Sequence, residues 1–140
     1  MQQYWDPLRK KMVAATPEEK VRQWFISILR DSSGVPEHLM MSEAGLEFGQ
    51  KKYRADILIW DRSGQPLAIV ECKRPEVELT AAVLEQAMRY NMVLGVTWLF
   101  VTNGKSTYLY RNVDGTFLPQ QQLPSYEGML LQPLEEGVNP

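Results

Sequence analysis

Cysteine, histidine, long apolar runs and excess positive charge are all scarce in this 140-residue chain, and each scarcity removes a class of function. Cys72 has no second cysteine to pair with, and with His38 as the only histidine no Cys/His zinc site can be assembled. His38 follows Val35-Pro36-Glu37 in a connecting loop with nothing to mark it as a base, so a serine or cysteine hydrolase is not expected. No apolar stretch approaches the length of a membrane span, and the start Met1-Gln-Gln-Tyr-Trp-Asp6 lacks a secretory core. A cytoplasmic protein with no membrane partner is the expectation. A formal net charge of −2 is not the footprint of a strong nucleic-acid binder. Local basic clusters do occur at Arg9-Lys10-Lys11 and at Lys51-Lys52 with Arg54, so unaided DNA binding should be weak and salt-sensitive. Hydrophobic and charged contents of 44% and 23% suit one globular domain with an adequate core.

What the chain does have is charge set into two apolar strands. Asp56-Ile-Leu-Ile-Trp60 and Ala68-Ile-Val-Glu71-Cys-Lys73 flank the turn Asp61-Arg-Ser-Gly-Gln-Pro66, whose Ser/Gly/Pro chemistry is that of a hairpin loop. Pairing symmetric about Ser63 and Gly64 puts Asp56 opposite Glu71, with Cβ atoms about 5 Å apart. The strand period of two adds Lys73 beside Glu71 and turns Cys72 to the other face as buried filler. Two carboxylates at roughly 4 Å repel by about 4 kcal/mol even at an effective dielectric near 20. A hard divalent cation would neutralise them: Mg²⁺ takes one or two carboxylates, keeps waters and leaves room for a phosphate. Lys73 beside it would orient or deprotonate an attacking water, or stabilise charge on a phosphoryl oxygen. The spacing fits a structural ion pair between Lys73 and Glu71 equally well.

The flanking motifs extend the pattern. Asp56 followed by Glu71-Cys72-Lys73 resembles the D…(D/E)xK signature of the PD-(D/E)XK nucleases. Pro17-Glu-Glu-Lys-Val-Arg-Gln23, Arg54-Ala-Asp56, Val70-Glu-Cys-Lys73, Gln86-Ala-Met-Arg-Tyr90 and Thr102-Asn-Gly104 resemble, in order, the N-terminal nuclease domain of type I restriction enzyme R subunits. The resemblance runs from about Thr16 to Arg111. It implies an α/β fold with the restriction-endonuclease-like αβββαβ core, a mixed sheet flanked by helices. It also implies Mg²⁺ or Mn²⁺ on Asp56, Glu71 and the Cys72 carbonyl, Lys73 as catalytic lysine, and DNA as substrate. Gln86 and Tyr90 match the family's QxxxY motif, which supports the site or the bound nucleic acid, and Arg54 would add a phosphate contact. Other restriction-system subunits or a separate motor protein are the implied partners. The same fold without catalysis, as a nucleic-acid-binding or assembly module, is the alternative.

The first helix starts with Thr16 as N-cap, Pro17 at the first position and Glu19 placed for a capping box. Glu18 falls in register with Val21, Phe25 and Ile28, the face expected on the sheet, and matches an acidic residue on the family's first helix. It is therefore a further candidate at the metal or the water, with a favourable helix-terminal charge as its structural alternative.

The expected elements are a helix over 17–29, strands over 40–48, through the hairpin and over 96–101 and 107–111, and a helix over 79–94. Residues 1–15 read as a poorly ordered or packed extension, 16–112 as the nuclease-like domain, and 113–140 as an irregular tail packed on it or extending from it. In that tail Asp114-Gly115 suggests a turn, Pro119, Pro124 and Pro133 break regularity, and Leu118, Leu123, Tyr126, Leu130 and Leu131 are available for packing or docking. Gly104-Lys105-Ser106 lacks the glycine five residues earlier that a P-loop needs, since Leu99 stands there, so no ATP site is expected. Trp24, Trp60 and Trp98 lie in apolar periodic segments and read as core, leaving Trp5 as the tryptophan free to meet a partner.

Overall fold

The computed structural model describes residues 2–131. Pro133, with the rest of the tail beyond Leu131, lies outside the described residues. The order is β1 (Gln3–Asp6), β2 (Lys11–Ala14), α1 (Pro17–Asp31), a 3-10 turn (Glu37–Leu39), β3 (Met40–Phe48), β4 (Lys51–Trp60), β5 (Pro66–Cys72), α2 (Ala81–Met92), β6 (Trp98–Thr102), β7 (Thr107–Val113), β8 (Thr116–Gln120) and α3 (Tyr126–Leu130). Strands β3 to β8 form one six-stranded sheet in chain order, and β1 pairs only with β2. All neighbours are antiparallel except β5 and β6, which are parallel and joined through α2. Parallel neighbours need such a crossover.

Helices cover both faces. On one side Val21, Phe25, Ile26 and Leu29 of α1 and Tyr126 and Met129 of α3 pack on Ile57, Ile59, Val70 and Phe100. On the other, Leu84 and Ala87 of α2 pack on Leu58, Ile69, Leu99 and Val101. This is why β4 and β5 read as apolar on both faces: a sheet covered twice has no wet face on which to alternate. The Ile57↔Val70, Leu58↔Ile69 and Ile59↔Ala68 pairs carry the register expected from the turn, but the ladder shifts at Trp60 and stops short of the expected Asp56–Glu71 pair.

Three local expectations change. β8 and α3 stand where proline and glutamine suggested an irregular tail: Asp114, at φ 52°, and Gly115 turn β7 into β8. Pro119 is tolerated because β8 is an edge strand. Ser125 then caps α3, whose Tyr126 hydroxyl donates to the Trp60 carbonyl at 2.8 Å, while Trp98 Nε1 donates to the Met129 carbonyl at 3.0 Å. Leu123 and Leu130 pack on the same cluster, and Leu118 and Leu131 stay exposed. Second, residues 3–14 form a hairpin fastened by Arg9, which pairs with Asp6 in the turn and with Glu19 and Glu43 outside it. Third, Trp24 is 41% exposed rather than core, because the buried stripe of α1 runs through Val21, Arg22, Phe25 and Ile26 and leaves Trp24 at its margin.

With Tyr126 almost fully buried, Tyr126→Ala should cost about 3–5 kcal/mol, read as a shift of the urea midpoint. An unchanged midpoint would mean that α3 is not part of the folding unit.

Candidate active site

The sheet forks at the predicted trio. Pairing of β4 with β5 ends at Ile57↔Val70. From there β4 continues with β3, through Ala44↔Ala55 and Gly45↔Arg54. β5 stays with β6, through Glu71↔Val101 and Cys72↔Thr102, and Lys73 N–H donates to the Thr102 carbonyl at 2.8 Å. Parting strands leave backbone donors that need new acceptors. Asp56 Oδ2 accepts from the Cys72 N–H at 2.6 Å, and the Tyr90 hydroxyl, on α2, accepts from the Arg54 N–H at 3.0 Å. Tyr90 is held in turn by an edge-on contact with Tyr53, ring centroids 5.1 Å apart.

The β3–β4 ladder is also interrupted here. Ser42↔Ile57 and Ala44↔Ala55 pair, but Glu43 and Asp56 between them do not, and Glu43 has φ 52°. Ala55 and Leu58 join the same face of the core, an odd spacing that strand alternation forbids. The strand therefore twists at Asp56, which brings that carboxylate to the mouth of the fork.

A cleft of about 380 Å³ opens there, lined by Glu18, Arg54, Asp56, Glu71, Cys72, Lys73, Gln86 and Tyr90 together with Val77, Val83 and Ala87. The residues expected at the metal, the water or the nucleic acid thus all line one cavity. Lys73 Nζ stands 3.7 Å from Glu71 Oε2. Cys72 keeps its thiol in the α1-side core, where burial pushes its pKa well up, so it is no nucleophile.

Charge in the cleft is incompletely compensated. Burial raises the Asp56 carboxyl above its ordinary value and Glu43 adds to this, against the Cys72 N–H, Arg22 and Lys73. Burial likewise raises Glu71, with the negative charge of Asp56 adding to it, against Lys73 and the Asn91 side chain. Both acids are thus partly buried and raised, Asp56 with Glu43 adding to burial and Glu71 with Asp56 adding to it, so added positive charge would favour the ionised forms. Among the described residues no group of three or more His, Cys, Asp or Glu side chains is placed to hold a metal. Asp56, Glu71 and Cys72 line the cleft together, and two carboxylates are residues that could hold a hard divalent cation that keeps its waters.

The family model for the type I restriction enzyme R protein N terminus matches residues 17–124. The chain belongs to that family. The family match reaches past Arg111 and takes in β8. Among solved structures, a fragment assigned as an HsdR subunit of a type I restriction enzyme from Vibrio vulnificus YJ016 is similar at 19% identity and a TM-score of 0.59. The alignment covers 80% of this chain but 24% of that one, so the R-subunit domain seen here corresponds to a quarter of its structural relative. A protein assigned as a nuclease of DUF820 from Anabaena variabilis ATCC 29413 is similar at 13% identity and a TM-score of 0.48, over 86% and 73% of the two chains. That likeness is too loose to bear on the site. No curated protein matches the chain. The restriction-endonuclease-like αβββαβ core is present as α1, β3, β4, β5, α2 and β6.

This R-subunit-type domain also contains polar residues that the sequence did not single out. Arg22 is 4% exposed, and its guanidinium lies among four carboxylates: 3.1 Å from Glu19, 3.4 Å from Glu43 and 3.6 Å from both Glu18 and Asp56. Glu43 also meets Arg9 and Arg54, and these arginines together hold its carboxyl below the usual range although burial opposes them. Both were legible in principle. Symmetry about the Gly49-Gln50 turn places Glu43 opposite Asp56, and an arginine one turn after Glu18 and Glu19 is set for helical ion pairs. The capping box at α1 is half formed: Thr16 Oγ1 accepts from the Glu19 N–H at 3.1 Å, but the Glu19 carboxylate turns to Arg9 and Arg22. Glu18, less buried than Glu19, is the one that reaches the cleft.

Because Glu71 is raised, the folded domain holds a proton there at a pH where the unfolded chain has lost it. The stability this gives is complete below the ordinary carboxylate value and is lost as pH rises through the raised one. In metal-free buffer Glu71→Gln should therefore melt higher than the parent at pH 8, with the gap closing near pH 4. A gap that grows toward low pH would contradict this. Arg22→Ala should cost about 3–5 kcal/mol by strand-anchoring carboxylates left unpaired, read from urea melts.

Proposed function

We propose that this chain is a divalent-metal-dependent nuclease domain that hydrolyses phosphodiester bonds in DNA, with Asp56, Glu71 and the Cys72 carbonyl holding Mg²⁺ or Mn²⁺. The observation that carries the proposal is the fork itself, where Asp56, Glu71 and Lys73 converge on one open cleft. A bound divalent ion would polarise the scissile phosphate and make a bound water more acidic.

The chain's own residues would do the rest. Asp56 is fixed by the Cys72 amide and Glu71 stands on the strand that continues with β6, so both carboxylates are oriented before substrate arrives. Lys73 extends from the end of β5 with a third of its side chain exposed. It would donate to the phosphoryl oxygen on which charge accumulates, or hold the attacking water in line. The water oxygen forms the new P–O bond and gives up a proton to solvent, the bond to the leaving sugar oxygen breaks, and that oxygen takes up a proton from solvent. Glu18 lines the cleft on the α1 side, where it would orient the water. Arg54, exposed and paired with Glu43, and Gln86 on α2 would contact the DNA backbone. Other restriction-system subunits, or a separate motor protein, are the proposed partners.

The observation that favours the non-catalytic alternative is that Lys73 pairs with Glu71 and Arg22 with Asp56, each near 3.7 Å. Stoichiometric DNA binding without turnover would support that reading.

Two outcomes test the nuclease proposal. Lys73→Ala should lower metal-dependent cleavage about 10²- to 10³-fold, the usual effect of removing one transition-state donor, with an unchanged melting temperature. Complete absence of cleavage by the parent protein on duplex, single-stranded and branched DNA would overturn the assignment. Separately, Mg²⁺ at about 100 times its dissociation constant should stabilise the parent by about 2.7 kcal/mol and should not stabilise Glu71→Gln. Equal stabilisation of both would place the ion elsewhere.

A further inference from the structure

A second recess adjoins the cleft and has a different character. It encloses about 560 Å³ between the start of α1, the N-terminal hairpin and the β6–β7 turn, and its walls include Tyr4, Pro17, Lys20, Trp24, Pro75 and Lys105. No Asp or Glu lines it. Among the described residues neither Lys20 nor Lys105 takes part in a salt bridge. Trp24, 41% exposed, is an unexpected surface aromatic on a helix whose apolar stripe is otherwise covered.

The recess and the cleft are separate, but neighbouring residues of the chain line them. Pro17 lines one and Glu18 the other; Lys73 lines the cleft and Pro75 the recess, two residues that span at most about 7 Å. Arg74 lies between them, 60% exposed. Its far wall is rigid. Asn103 Nδ2 donates to the Val77 carbonyl at 2.8 Å, and Asn103 Oδ1 accepts from the Lys105 and Ser106 amides at 2.9 and 2.8 Å. Gly104, at φ 86°, lets this turn approach α1 so closely that a Cβ there would stand 3.3 Å from Val21 Cγ2. The Thr102-Asn-Gly104 motif thereby fixes Lys105 across from Lys20 and Trp24.

We propose that this recess binds an unpaired nucleotide of the nucleic-acid strand that enters the cleft, its base on Trp24 and its phosphates on Lys20 and Lys105. An aromatic face between unpaired cations, with no anion among the lining residues, complements a base flanked by phosphates. A duplex keeps its bases stacked inside, so a recessed aromatic reaches a base only when that base is unstacked. The inference rests on the nuclease reading only in taking the ligand to be the strand the cleft acts on.

The test is fluorescence anisotropy with a labelled 12-nucleotide single strand and the matching blunt duplex, in EDTA, so that binding is read without turnover. Trp24→Ala should weaken single-strand binding roughly 5- to 150-fold, the loss of one base–aromatic stack, with much less effect on the duplex, and Trp24→Phe should restore part of it. Lys20→Ala and Lys105→Ala should each flatten the single-strand salt dependence by about 0.7; if Trp24→Ala fails to fold, these exposed positions carry the test alone. Unchanged single-strand affinity and salt slope, or equal losses on both ligands, would overturn the proposal. Cleavage by the parent with unchanged binding by the variants would sink the recess and leave the nuclease standing. Loss of single-strand binding in the variants of a parent that never cleaves would do the reverse.

Discussion

The hydrogen bond from the Cys72 amide to Asp56 Oδ2 is the contact on which the site depends. Two antiparallel strands that separate within a covered sheet leave main-chain groups unpaired, each at a cost of about 1–3 kcal/mol if nothing replaces the lost partner. Here a carboxylate replaces one and the Tyr90 hydroxyl another. The same bond therefore closes the apex of the fork and aims the acid. Without it the sheet would either zip further, burying the cleft, or open with unsatisfied amides.

Carboxylates gathered at that apex are expensive, and the domain offsets the expense with arginines rather than by neutralising the acids. Arg22 spans α1 and the sheet, while Arg9 links the N-terminal hairpin, α1 and β3 through Asp6, Glu19 and Glu43. The hairpin is thus part of the electrostatic frame of the site although it adds no strand to the main sheet. The frame stops short of the cleft floor. Asp56 and Glu71 both remain raised, a standing preference for added positive charge. Structural ion pairs and an incompletely compensated pair of acids coexist in one cleft.

Much of this was written in the sequence where one rule operated alone. Turn symmetry gave the β4–β5 register, two-sided apolarity gave the covered sheet, and the capping residues at Thr16 gave the start of α1. The sequence was less informative where rules competed. Pro119 signals irregularity, yet an edge strand needs no donor there. Trp24 signals burial by composition, but the stripe is decided by Arg22, whose four carboxylate neighbours draw a charged side chain inward and rotate the tryptophan out. Glu43 was open to turn symmetry but not to strand alternation, because its left-handed backbone breaks the pattern by which strand residues are assigned to faces. Tyr126 and α3 depend on long-range bonds to Trp60 and Ser33 that no local pattern announces.

The proposed nuclease chemistry requires the fork to hold a divalent cation between Asp56 and Glu71 within reach of Lys73. Anomalous diffraction from crystals grown with Mn²⁺ tests it most directly. A manganese peak is expected, bonded to one oxygen each of Asp56 and Glu71 at the oxygen-ligand distances of a hard cation, with the Cys72 carbonyl as third protein ligand. A well-ordered fork without a peak, with Arg22 and Lys73 still paired to the two acids, would contradict it.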